Sequence, residues 1–136
     1  MKKEFRPFFI SLTEKVKKLG VDYFLAIERE TYVKEYTSDQ ESTKVDFETI
    51  KNSDIVCVIP GSPASGGVHV ALGWASANQK QIEIFLNRNK RYSPMVTGLS
   101  EIANVQYHYY ETDYSNEVIE LICTSIEMYL NEVDNE

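Results

Sequence analysis

Residues 65–75 read Ser-Gly-Gly-Val-His-Val-Ala-Leu-Gly-Trp-Ala, directly after an apolar run and a Pro/Gly/Ser loop. A β-branched run, a small-residue loop and two glycines opening a helix make the pattern of a phosphate cradle. Glycines let backbone approach an anion, and the free N–H groups and dipole of a helix start then hold it. Ser65 adds a hydroxyl donor. The chemistry this segment offers is therefore anion binding at Ser65, Gly66 and Gly67. The competing reading of the same residues is a plain turn with an N-cap.

Other residues are weaker candidates. Asp54 precedes the apolar run 55–59 and reads either as a site carboxylate or as a loop residue. Tyr32, Tyr36 and Tyr92 fall in polar stretches, where a tyrosine stacks on a nucleobase or rims a subunit contact. His69, on the helical segment, reads as a packed histidine, Trp74 as packing, and His108 as a strand-surface residue. No Cys/His/Asp spacing points to a metal, and no cofactor is called for.

Positioning these residues takes a single domain. A chain of 136 residues with 43% apolar and 26% charged residues can bury a full core. The net charge of −7 argues against a nucleic-acid partner, which needs a basic face. No apolar run reaches the ~18–20 residues that span a bilayer, so no membrane partner is expected. The start, Met1-Lys2-Lys3-Glu4-Phe5-Arg6, lacks an apolar signal core, so the expected location is cytoplasmic. Cys57, in a strand, and Cys123, on a helix, read as two buried reduced thiols.

Hydrophobic spacing predicts helices over 7–19, 45–52, 66–78 and 116–133, and strands over 21–27, 55–59, 81–86 and 105–109. Gly20 ends the first helix and Ser115 is the expected N-cap of the last, which should bury Val118, Ile122, Ile126, Tyr129 and Val133. Residues 28–42 and 87–100 read as polar loops. The alternation predicts an α/β fold: three flavodoxin-like, doubly wound layers around a mainly parallel sheet of four to five strands.

On Ser53-Asp54-Ile55-Val56-Cys57-Val58-Ile59, then residues 65–75, then Lys80 and Ile82, the chain resembles the nucleoside 2-deoxyribosyltransferase-like family. That group includes deoxyribosyltransferases and nucleoside 5′-monophosphate N-glycosidases. The likeness runs over about residues 45–110. It implies that Ser65 holds the 5′ end of the ligand, where deoxyribosyltransferases typically carry an Asp for a free hydroxyl and the monophosphate hydrolases a Ser. A hydroxyl donates to phosphate where a carboxylate would repel it. The resemblance also implies Asp54 near the sugar and leaving group.

It places the family's nucleophilic Glu at position 71, where this chain has Ala71. A methyl group cannot attack C1′, and flanking Val70 and Leu72 offer no substitute. A change confined to one position of a matching motif suggests a directed Glu-to-Ala replacement more than drift. A second departure is at the start: the family usually opens on a central strand, whereas here a helix begins within seven residues of Met1. The implied function is a nucleotide N-glycosidase scaffold without turnover, an inactive variant of an enzyme. The alternative is a natural pseudoenzyme that senses or sequesters a nucleotide or nucleoside, and a blander third is a protein–protein adaptor. The implied assembly is a homodimer or higher homo-oligomer.

Overall fold

The computed structural model describes residues 5–23 and 38–135. Three strands, β1 (Ile55–Val58), β2 (Gln81–Asn87) and β3 (Val105–Tyr110), form one parallel sheet in the order β1-β2-β3. The helices are α1 (Arg6–Lys18), α2 (Asp39–Lys51), α3 (Gly66–Ala77), the single turn α4 (Pro94–Thr97) and α5 (Asn116–Asp134). The architecture is the flavodoxin-like α/β sandwich expected from the sequence. Three strands are described where four to five were expected. The strand placed at 21–27 falls, beyond Tyr23, outside the described residues, as do Tyr32 and Tyr36.

The register explains the two-sided core. Side chains alternate across a strand. Ile82, Ile84 and Leu86 therefore meet Leu72 and Ala75 of α3 and Val96 of α4 on one face. Phe85 and Tyr110 meet Phe8, Phe9, Leu12 and Val16 of α1 and Val118, Ile119 and Ile122 of α5 on the other. Phe85, Ile82 and Ile84 are completely buried. β2, the strand paired on both sides, carries both halves of the core.

Helix ends follow local chemistry. Gly20 adopts φ +75°, a left-handed conformation that only glycine takes without strain, and its N–H bonds the Lys17 carbonyl to close α1. Ser38 caps α2 through the Glu41 N–H, so this helix begins six residues earlier than the apolar spacing suggested. The polar stretch 87–100 contains α4, capped by Ser93, followed by a 3₁₀ turn at Leu99–Glu101. Ser115 stands at the N-cap of α5 but donates to the Thr112 carbonyl instead. The Glu117 carboxylate accepts the Glu111 and Thr112 N–H groups and so ties the preceding loop to the helix.

Three sequence expectations are corrected. Cys57 is exposed rather than buried, on an outer strand of the described sheet. Desolvation and then the Glu83 charge push its thiol above the usual range. Val133 is exposed near the end of α5, past the stretch that the sheet covers. His108 is not a surface residue. It stacks on Phe85 at 4.8 Å, and its Nε2 lies 3.1 Å from buried Glu83 Oε1 and 3.2 Å from Ser125 Oγ.

Candidate functional site

A parallel sheet brings the loops after its strands to one edge, the carboxyl edge, where α/β proteins place ligands. Here those loops are residues 59–65 after β1, 88–93 after β2 and 111–115 after β3.

The first loop ends at Ser65, which has extended backbone and caps α3: its Oγ accepts the Val68 N–H at 3.2 Å. The capping reading of Ser65 is therefore met, and capping leaves the hydroxyl proton over. Gly66 and Gly67 follow, both exposed. Their N–H groups belong to the first helical turn, which has no intrahelical acceptor. Neither glycine has positive φ, and a Cβ built on Gly66 meets nothing within 4 Å; on Gly67 it meets only Ser65 Oγ at 3.9 Å. Packing gives no reason for either to be glycine.

Ala71 is half-buried on α3, beside the stripe of Val68, Leu72 and Ala75 that faces the sheet. Six residues of helix put it about 9 Å along the axis from Ser65. Asp54 is not brought to this edge. It is exposed at the amino end of β1, and a four-residue strand, about 13 Å of chain, separates it from the loop that leads to Ser65. His69, on the second turn of α3, has a buried Nε2 without a hydrogen-bond partner. Trp74 packs edge-on against Phe47 of α2 at 5.3 Å, as a packing residue would.

Tyr92 lies in the second loop and lines a cavity of about 380 Å³ with Leu86, Asn87, Arg88, Lys90, Thr97 and Tyr109. Another cavity, about 590 Å³, lies between α2 and α3. Neither of these two is lined by Ser65 or Ala71.

Around Tyr92 the structure assembles a cluster that the sequence reading missed. The Tyr92 hydroxyl accepts the Asn87 N–H at 2.8 Å. Buried Asn87 donates from Nδ2 to Asp113 Oδ1 at 3.0 Å, and Tyr110 donates to the same oxygen at 3.0 Å. Lys90 Nζ pairs with Asp113 Oδ2. Desolvation alone would raise the Asp113 pKa; the donors Asn87, Lys90 and Tyr110 outweigh it and hold the carboxyl below its usual value. The hydrogen bond to Asp113, then its charge, raises Lys90. Burial, then the bond to Asp113, raises Tyr110. One signal for this cluster was available in the sequence: an asparagine closing the otherwise apolar run 84–86.

The second loop also touches the first, since Ser62 Oγ donates to the Arg91 carbonyl. Among the described residues, no group of three or more His, Cys, Asp and Glu side chains is arranged to hold a metal ion. No described helix is long and apolar enough to cross a membrane.

No protein-family model matches the chain, and no curated protein matches it. Solved structures do. The chain is similar to the CMP N-glycosidase BcmB of Clostridium botulinum, at 26% identity over 95% of this chain and 93% of that one, with a TM-score of 0.73. It is also similar to BlsM, at 31% identity over 100% of this chain and 83% of that one, with a TM-score of 0.80. The parallel sheet, the Ser-Gly-Gly helix start at its carboxyl edge and these likenesses agree: the chain belongs to the nucleoside 2-deoxyribosyltransferase-like family.

Proposed function

We propose that this chain binds a nucleoside 5′-monophosphate, with the phosphate on the Gly66 and Gly67 amides and the Ser65 hydroxyl, and does not turn it over. The observation that carries the reading is the pair of glycines at the start of α3. They lie at the ligand edge of a parallel sheet, and nothing in the packing requires them to be glycine. Close approach of a ligand to the backbone does require it. The similarity to BcmB, a CMP N-glycosidase, supports a nucleotide and the glycosidic bond as the point of chemistry.

Ala71 supports binding without turnover. Its height above the helix start suits a group that faces C1′ while the phosphate is anchored below, and a methyl group there supplies neither a nucleophile nor a charge opposing the phosphate. Tyr92 is a candidate for the base side of the ligand, from the second loop of the same edge. We do not assign Asp54 a contact with the same ligand, because it stands at the opposite edge. A homodimer is the simplest assembly. Exposed Met95 and Ile102 offer it apolar surface, and sedimentation yielding a monomer at micromolar concentration would count against it.

The test is to measure base release from CMP and related nucleotides by chromatography, with this chain and with Ala71→Glu. The reading expects no release from the first and N-glycosidic cleavage by the second. Release by the chain with Ala71 would show that another group does the chemistry. If CMP binds and Ala71→Glu stays inactive, a sensing or sequestering module is the better reading.

A further inference from the structure

The geometry points to Asp113 as a positioning residue for the anion loop: held in the loop after β3, it fixes the loop after β2, which in turn fixes Ser62 and the run into Gly66 and Gly67. This rests on the phosphate reading above and assigns a residue that does not touch the ligand.

Asp113 is built as a fixed post. Its neighbour Tyr114, at φ 52°, stacks on Phe5 at 3.8 Å and meets the Phe8 ring edge-on at 5.5 Å. On the other side, buried Tyr110 donates to its carboxylate. An exposed loop carboxylate needs neither anchor.

From this post the contacts run one way, into residues 87–92. Asp113 takes Asn87 Nδ2 with one oxygen and Lys90 with the other. Asn87 then uses its remaining groups on the same loop: its Oδ1 accepts the Asn89 N–H at 2.8 Å, its carbonyl accepts the Lys90 N–H at 3.2 Å, and its own N–H goes to Tyr92. Both ends of the segment 88–92 are thereby tied, and Arg91 between them presents its carbonyl to Ser62. Ser62 is three residues before Ser65, with Pro63 limiting the intervening backbone. The path from Asp113 to the first turn of α3 thus runs by hydrogen bonds into residues 87–90, along the chain to Arg91, across to Ser62 and then along residues 62–65, and among the described residues the side-chain hydrogen bond that crosses between the two loops is Ser62 to Arg91.

That crossing gives the test its form. Residues on one network show non-additive effects, whereas residues that merely stabilise the fold add. Asp113→Asn, Ser62→Ala and the double variant are titrated with CMP and with cytidine by calorimetry. Amide spectra of Gly66 and Gly67 are recorded without ligand. Asp113→Asn should weaken CMP by about three- to thirtyfold and cytidine by less than about twofold. In the Ser62→Ala background it should change CMP affinity by less than about twofold. The Gly66 and Gly67 amide shifts should move on Asp113→Asn when Ser62 is present and stay still when it is absent.

Additive losses, equal losses for CMP and cytidine, or unmoved amides would overturn the assignment. If the unaltered chain binds no CMP, the phosphate reading fails, and the amide spectra still decide the positioning role. Should Asp113→Asn fail to fold, Lys90→Met removes one arm, leaves Asn87 and Tyr110 paired, and must show the same dependence on Ser62.

Discussion

Ser65→Asp separates the two jobs of one side chain. In the structure the Ser65 Oγ caps α3 by accepting the Val68 N–H. Asp is as good a cap as Ser, and a negative charge suits a helix N-terminus. The fold should therefore tolerate Ser65→Asp with a melting temperature within about 2 °C of the starting value, given that ~1 kcal/mol moves a domain of this size by about 4 °C. Ser65→Ala loses the cap, should cost about 1 kcal/mol, and should melt about 4 °C lower. Ligand binding should order the variants differently. The hydroxyl proton left over from capping is what a phosphate would receive, and a charge-assisted bond contributes about 1.5–3 kcal/mol. Loss of that bond alone weakens a 5′-monophosphate by about 10- to 150-fold, and a carboxylate facing the phosphate adds repulsion. The assay is calorimetric titration of both variants with CMP and with cytidine, beside thermal melts. Ser65→Asp should lose far more CMP affinity than Ser65→Ala while remaining the more stable protein. Equal weakening of CMP and cytidine would refute the phosphate assignment.

Two further outcomes follow from the same geometry. Gly67→Ala should raise the melting temperature, because Ala gains up to about 1 kcal/mol over Gly in a helix and its Cβ meets only Ser65 Oγ at 3.9 Å. The same change should weaken CMP, and a variant with unchanged CMP affinity would remove the glycine argument. The Asp113 carboxyl is held below its ordinary value, so its share of stability is fully present above the unfolded pKa and is lost as pH falls through the depressed one. Denaturant midpoints from pH 7 down to pH 2 should then show a shallower acid decline for Asp113→Asn than for the parent, and identical declines would refute the carboxylate's role.

Much of the fold is local and was legible in the sequence. The periodicity of Phe8, Phe9, Leu12 and Val16 marked α1, and Gly20 marked its end. The apolar runs at 55–59 and 81–86 marked strands, and Ser65-Gly66-Gly67 marked a capped helix start. Each of these is decided by residues within one or two turns of each other. The place of Ala71 on α3, six residues past Ser65, was likewise legible, because the helix alone sets that spacing.

Tertiary structure decided what depends on register and coverage. Asn87 and Asp113 are 26 residues apart, and Ser62 and Arg91 are 29 apart. Only the parallel alignment of β1, β2 and β3 brings their loops to one edge. The same alignment leaves Asp54 at the other. His108 alternates on β3 as any surface histidine would, yet it meets Glu83 because the register sets Phe85 beside it and α5 brings Ser125 over both. Cys57 sits in an apolar run, yet its strand is an outer one of the described sheet and its side chain is exposed. Local spacing fixes what a segment can form. The face it presents, and the distant residue it meets, are set by how helices and strands share a finite core.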